Sequence, residues 1–181
     1  MLMKWLRWIL SVIIIILILA FTGLWIAGKR AGHGSFEVSI LINRPAPIIF
    51  SALTDHEMTK KWVSGIIELK DLTPGNNGVG SKILLTEKIN GSIVVMEEEI
   101  TSLRPPYLKK YNSLGIGTPS KEFIEHGEYE LTKQGKQTLF TMRSLIEYKG
   151  FLYRLLEPLL TPAVRAKFEG DQKRLKRLLE T

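Results

Sequence analysis

The chain is 181 residues long, enough for one domain and an anchor, and it contains no cysteine, which excludes disulfides, thiolate chemistry and cysteine-ligated metal. Its formal net charge is +7, but four of the positives, Lys4, Arg7, Lys29 and Arg30, precede the first acidic residue, Glu37. Taking those four from 25 basic residues leaves 21 against 18 acidic ones, a near-balance that argues against nucleic-acid binding.

The first element is a membrane segment. Residues 9–27 hold no charge, and as a helix they rise about 28 Å, close to the thickness of a hydrocarbon core. Trp5, Trp8 and Trp25 stand near its two edges, as interfacial anchors do. The stretch from Ala27 reads AGKRA, with no Ala-x-Ala cleavage signal, so a retained single-pass anchor is expected. Basic flanks on both sides nearly cancel as an orientation signal. The free N-terminal amine tips it toward an inside N-terminus, with the following domain on the extracytoplasmic side. Residues 1–34 are therefore read as anchor and short linker, with His33 a solvated linker residue, and 35–181 as one domain.

That domain opens on a half-buried strand, in which Phe36, Val38, Ile40 and Ile42 alternate with polar residues. Pro45 and Pro47 end the strand and suit a first helical turn. Ile49, Phe50 and Leu53 then suggest a short amphipathic helix, and Asp55 a cap for a second, from His56 to Trp62. Six further strands are expected: 66–72, 82–89, 92–100, 107–114, 123–131 and 137–148. Asn90-Gly91 is a strong hairpin turn, and residues 115–119 break the fifth of the domain's seven strands. From Phe151 the apolar residues return at helical spacing, with charged residues behind them. Pro158 and Pro162 predict a short helix, a break, then a long helix from about Thr161. Its stripe of Val164, Phe168, Leu175 and Leu178 should face a curved antiparallel sheet.

The residues add detail to this order. The run from Ile42, INRPAPIIFSALTDHEMTKKWVSGIIEL, resembles the opening of the START-like (SRPBCC) superfamily in its polyketide cyclase/dehydrase and lipid transport branch. The matching positions are Pro45, Ile49-Phe50, Leu53-Thr54-Asp55 and Trp62. Gly78-Val79-Gly80, the segment EEEITSLRPPYLKKY from Glu97, and the C-terminal LKRLLE are similar as well, although Leu103-Arg104 replaces the usual acidic residue before the prolines. The resemblance implies an α+β helix-grip fold and a cavity between sheet and C-terminal helix that binds lipids or other apolar molecules. A minority of such proteins catalyse cyclisation, dehydration or hydroxylation there.

The candidate site residues follow from the expected strand faces. If Val94 and Met96 face the cavity, so does Glu98, one of three consecutive acids, and it becomes a candidate acid or base. His126 is a second candidate base. Arg143 lies in a strand that otherwise reads as buried, where it would meet a ligand carboxylate or phosphate, or else a neighbouring acid such as Glu128. Tyr111 and Tyr129 offer hydroxyls to orient a ligand, and Phe50, Trp62, Leu139 and Phe168 offer apolar wall. No serine joins a histidine and an acid, nothing brings two histidines together, and no cofactor or metal is expected. The partners implied are an apolar or amphiphilic small molecule or lipid and, through residues 9–27, the bilayer. Catalysis in the same cavity and a ligand-free interaction domain are the competing readings, and the sequence names no protein partner.

Overall fold

A computed structural model describes residues 2–31, 34–89, 91–117 and 123–181. His33, Asn90 and Pro119, read above as linker, turn and strand break, lie outside the described residues. Helix α1 (Leu2–Ala31) leads into β1 (Gly34–Ile42), then α2 (Ala46–Thr54) and α3 (His56–Trp62). Six strands follow: β2 (Ile66–Asp71), β3 (Lys82–Ile89), β4 (Ser92–Arg104), β5 (Leu108–Ile116), β6 (Phe123–Gln134) and β7 (Gln137–Tyr148). Helix α4 (Phe151–Glu180) ends the chain. Within α1, Arg7–Ile26 is long and apolar enough to cross a membrane.

The seven strands form one antiparallel sheet in the order β1-β7-β6-β5-β4-β3-β2. All neighbours except β1 and β7 are consecutive in sequence, so short turns build most of the sheet. Gly91 takes a positive φ of 87°, the conformation a tight turn between β3 and β4 requires. Pro45 precedes α2, and the Asp55 carboxylate accepts from the Met58 amide at 2.8 Å, capping α3 as its sequence predicts. Trp62 is 1% exposed and donates its indole N–H to the Ala52 carbonyl at 3.2 Å, locking the two short helices together.

Helix α4 departs from expectation in two respects. It runs unbroken through Pro158 and Pro162. Each proline removes a helical hydrogen bond and crowds the preceding turn, but buried Leu155 and Glu157 dock one side of the prolines, and Val164 and Phe168 pack against the core on the other. The face turned to the sheet also holds polar residues. Leu178 is 36% exposed, whereas Asp171 and Gln172 are each 2% exposed and Leu179 packs on the core. Gln172 donates to the carbonyls of Val38 (3.1 Å) and Phe140 (3.3 Å), so a buried amide bridges α4 to β1 and β7. Lys176 Nζ reaches the Leu41 carbonyl at 2.8 Å, further fixing the C-terminal half of the helix on β1.

Candidate ligand-binding site

The sheet, α2, α3 and α4 enclose a cavity of about 980 Å³, at the upper end of the range for small-molecule sites. Exposed residues of α3 and of the β2–β3 connection, such as Glu57 and Asn76, form its rim. Its walls come from Phe50, Trp62, Met96, Met142, Val164 and Phe168. Phe168 meets Phe36 edge-on, with ring centroids 5.1 Å apart.

Strand register explains the floor. Side chains alternate along a strand, so residues paired across adjacent strands share a face. One such row joins Ile83, Glu98, Ser113, Glu125 and Ile146, from β3 to β7. The next joins Ile100, Tyr111, Gly127 and Ser144. A bulge between Ile100 and Ser102 then resets the phase of β4, so that Leu103 also turns inward, opposite Lys109.

Glu98 is therefore on the cavity side, while Glu97 and Glu99 point outward and share Lys82 at 2.9 and 3.3 Å. Glu98 pairs with Lys109 at 2.8 Å, and the Lys109 ammonium lies 5.4 Å from the Tyr111 ring centre and 5.7 Å from that of Tyr129. Tyr111 spreads over β6 because residue 127 is glycine: a Cβ there would meet Tyr111 Cζ at 2.0 Å. Burial pushes both tyrosine hydroxyls well above the usual phenol range.

Glu125 is the residue the sequence reading missed. It lines the cavity and accepts hydrogen bonds from Ser144 Oγ at 2.9 Å and Tyr111 Oη at 3.3 Å. Burial raises its pKa to about 7, with the nearby Glu98 charge adding to the shift and the Ser144 bond opposing it. On the wall opposite, Lys167 of α4 lies 2.6 Å from Glu87 and 2.9 Å from Asp171. Burial alone would lower the Lys167 pKa, but those two carboxylates outweigh it and the net shift is upward. Asp171 also accepts from the Ser64 amide (3.0 Å) and hydroxyl (2.7 Å), tying α4 to the bend before β2.

The structure brings together Phe50, Trp62, Glu98, Tyr111, Tyr129 and Phe168 on the cavity. It puts Leu139, Arg143 and His126 on the opposite face of the sheet. In β7 the inward set is Phe140, Met142, Ser144 and Ile146, so the odd-numbered positions between them look outward. Arg143 there binds Glu37, Glu128 and Glu130 at 2.6–2.7 Å, the neighbouring-acid alternative for this residue. Glu130 first, then Glu37, raises its pKa despite partial desolvation. His126 bonds Asn112 at 2.7 Å and Glu147 at 3.1 Å. Both residues border a separate depression of about 550 Å³ on that outer face. Among the described residues no group of three or more His, Cys, Asp or Glu side chains is arranged to hold a metal.

Solved structures share this architecture. Ara h 8.0201 aligns with a TM-score of 0.67 at 18% identity, over 83% of this chain and 100% of its own. A conserved protein from Geobacillus kaustophilus aligns at 0.66 and 18%, over 81% and 95%. The di-domain ARO/CYC StfQ from the steffimycin biosynthetic pathway aligns at 0.68 and 12%, over 82% of this chain and 51% of its own. These identities speak to fold alone. No curated protein matches the sequence. The family model for polyketide cyclase/dehydrase and lipid transport matches residues 33–180, and the chain therefore belongs to that family, in the START-like branch of the SRPBCC superfamily.

Proposed function

We propose that this protein is a membrane-anchored binder or carrier of an apolar or amphiphilic small molecule or lipid, held between the sheet and α4. The observation that carries this reading is the cavity of about 980 Å³, apolar along its walls and polar on one part of its floor. Burying apolar ligand surface at roughly 25 cal/mol per Å² supplies affinity, and the floor groups then set orientation. Helix α1 would hold the domain beside the bilayer, where such a molecule partitions, with the domain on the extracytoplasmic side. The start of α4 supports a position against the bilayer, on whichever side. Phe21 of α1 lies 6.3 Å from Phe151 between ring centroids, and Phe151, Leu152 and Leu159 are about 60% exposed on an otherwise folded domain.

The full chain, exchanged without detergent into nanodiscs of zwitterionic lipid, should bind the neutral fluorophore N-phenyl-1-naphthylamine above the level of empty nanodiscs. Met142→Trp, which fills the cavity from β7, should weaken that binding by about tenfold while costing roughly 1–3 kcal/mol of stability. Absence of any binding above the blank would leave the ligand-free interaction domain ahead. A second reading, catalysis, rests on Glu125: a carboxyl with a pKa of about 7 that is hydrogen-bonded to Tyr111 inside a cavity is suited to acid–base work. Turnover of a bound compound that Glu125→Gln abolishes would move the protein to the enzymes.

A further inference from the structure

The cavity is acid-rich although the whole chain is basic. Seven carboxylates line it against three lysines, Lys88, Lys109 and Lys167. Most of those carboxylates already have a positive partner or a structural duty. Glu98 holds Lys109 at 2.8 Å, and Glu87 and Asp171 share Lys167. At the rim, Glu57 holds Lys60 at 2.7 Å, Asp71 lies 3.7 Å from His56, and Asp55 caps α3. Glu125 is different. It sits on the floor, and among the described residues only the hydroxyls of Ser144 and Tyr111 hydrogen-bond it, while Lys167, itself held by Glu87 and Asp171, acts on it only through space. Of the lining lysines, Lys88 alone makes no ion pair among the described residues, and it is exposed at the rim, where water screens it.

We propose that the molecule this cavity takes carries a protonated amine at its polar end, and that the ammonium pairs with Glu125 on the floor between Tyr111 and Ser144. This rests on the reading of the cavity as an apolar-ligand site and names the ligand's polar chemistry. An ammonium would supply the positive partner that Glu125 lacks and donate hydrogen bonds that the acid can accept while still held by the two hydroxyls. An anionic head at the same depth would meet Glu98 and Glu125 and lose its hydration without a free cation to replace it. A neutral alcohol would gain a hydrogen bond and no charge pairing.

The test compares octylamine, octanol and octanoate, matched in chain length, as competitors of N-phenyl-1-naphthylamine on the full chain in zwitterionic nanodiscs, with empty nanodiscs as the blank. At about pH 8 octylamine should compete at roughly tenfold lower concentration than the other two, the increment expected of a charge-assisted hydrogen bond. Below about pH 7 that advantage should shrink as Glu125 takes up a proton, and it should be gone by about pH 5. The other titratable groups facing Glu125 are Glu98 of β4, Lys109 and Tyr111 of β5, Tyr129 of β6, Tyr148 of β7 and Lys167 of α4. Glu125→Gln should remove the amine's advantage and its pH dependence, while a thermal midpoint close to that of the native chain at about pH 5 reports that the fold is intact. If that variant does not fold, the pH profile of the native chain still decides. Octanoate or octanol competing as well as octylamine, or an amine preference that survives in Glu125→Gln or at about pH 5, would overturn the assignment and leave the cavity reading standing. If the fluorophore does not bind at all, the cavity reading fails, and this inference with it.

Discussion

A carboxyl group facing an apolar cavity is costly to ionise, and Glu125 shows that cost in its titration. Its pKa rises from 4.5 to about 7 in the folded chain, so folding favours the protonated form. The corresponding stability is fully present below about pH 4.5 and is lost as the pH rises through 7; at 1.36 kcal/mol per pKa unit the loss is about 3 kcal/mol. Glu125→Gln keeps a carbonyl acceptor for Ser144 and Tyr111 and cannot ionise. Thermal denaturation should therefore show it more stable than the parent at about pH 8 and close to it at about pH 5. An equal shift at both pH values would contradict the burial. Gly127, two residues on, is tested by Gly127→Ala. The new Cβ would fall 2.0 Å from Tyr111 Cζ, so the ring must leave the floor, and a stability loss of roughly 1–3 kcal/mol is expected from the denaturant midpoint. Local pattern carries only part of this. Glu98 was legible because Val94 and Met96 set the phase of β4. Glu125 was not, because β6 has glutamates on both faces: Glu125 looks inward while Glu128 and Glu130 look outward to Arg143. A glycine in mid-strand was the available signal that something lies across β6 there.

Helix α4 shows what periodicity reads and what it omits. The apolar repeat does locate the buried stripe, and Leu175 is fully buried. Continued at helical spacing from Phe168, the same stripe passes through Asp171 and Gln172 before Leu175 and Leu179. Two polar residues survive in it because partners satisfy them: Ser64 and, one turn back in the same helix, Lys167 for the acid, the Val38 and Phe140 carbonyls for the amide. Ser64, Val38 and Phe140 lie far away in sequence, so no window along the helix reveals them. The same limit applies to the prolines, where tertiary packing holds a continuous helix that local rules would break. The β3–β4 hairpin is the opposite case, since its turn is encoded in adjacent residues and its pairing runs to Ile89 opposite Ser92. Asp171→Ala should be among the more damaging changes in α4. It leaves Lys167 with only Glu87, strips the Ser64 amide and hydroxyl of their acceptor, and should cost about 3 kcal/mol or more in chemical denaturation. A loss no larger than that of an exposed residue such as Lys173→Ala would show that the tether between α4 and the bend before β2 carries little.

For the molecule as a whole, one sheet, two short helices and a gripping helix follow from the order of elements, and that order is readable because strand and helix periods differ. The cavity is the consequence: a curved sheet and a helix touch along β1 and separate over β3 to β6, and no local pattern states how far. The basic charge at the N-terminus and the apolar start of α4 then bear on placement. On the proposed reading, α1 spans the bilayer and Phe151, Leu152 and Leu159, exposed at 60%, 58% and 62%, lie against its surface. The full chain should stay with membranes through alkaline carbonate extraction. A chain begun at Gly34 should be released, yet retain weak binding to zwitterionic vesicles, because those side chains each contribute up to about 1.5–3 kcal/mol when fully buried in an apolar phase. Replacing all three by serine in that shortened chain should lower vesicle binding by at least about tenfold. The denaturation midpoint should change little, since the side chains bury little surface in the domain itself. If vesicle binding of the shortened chain is unaffected by the three replacements, the start of α4 is not a membrane contact and α1 alone holds the protein at the bilayer. If the untruncated chain is instead found in the carbonate supernatant, the anchor itself is wrong.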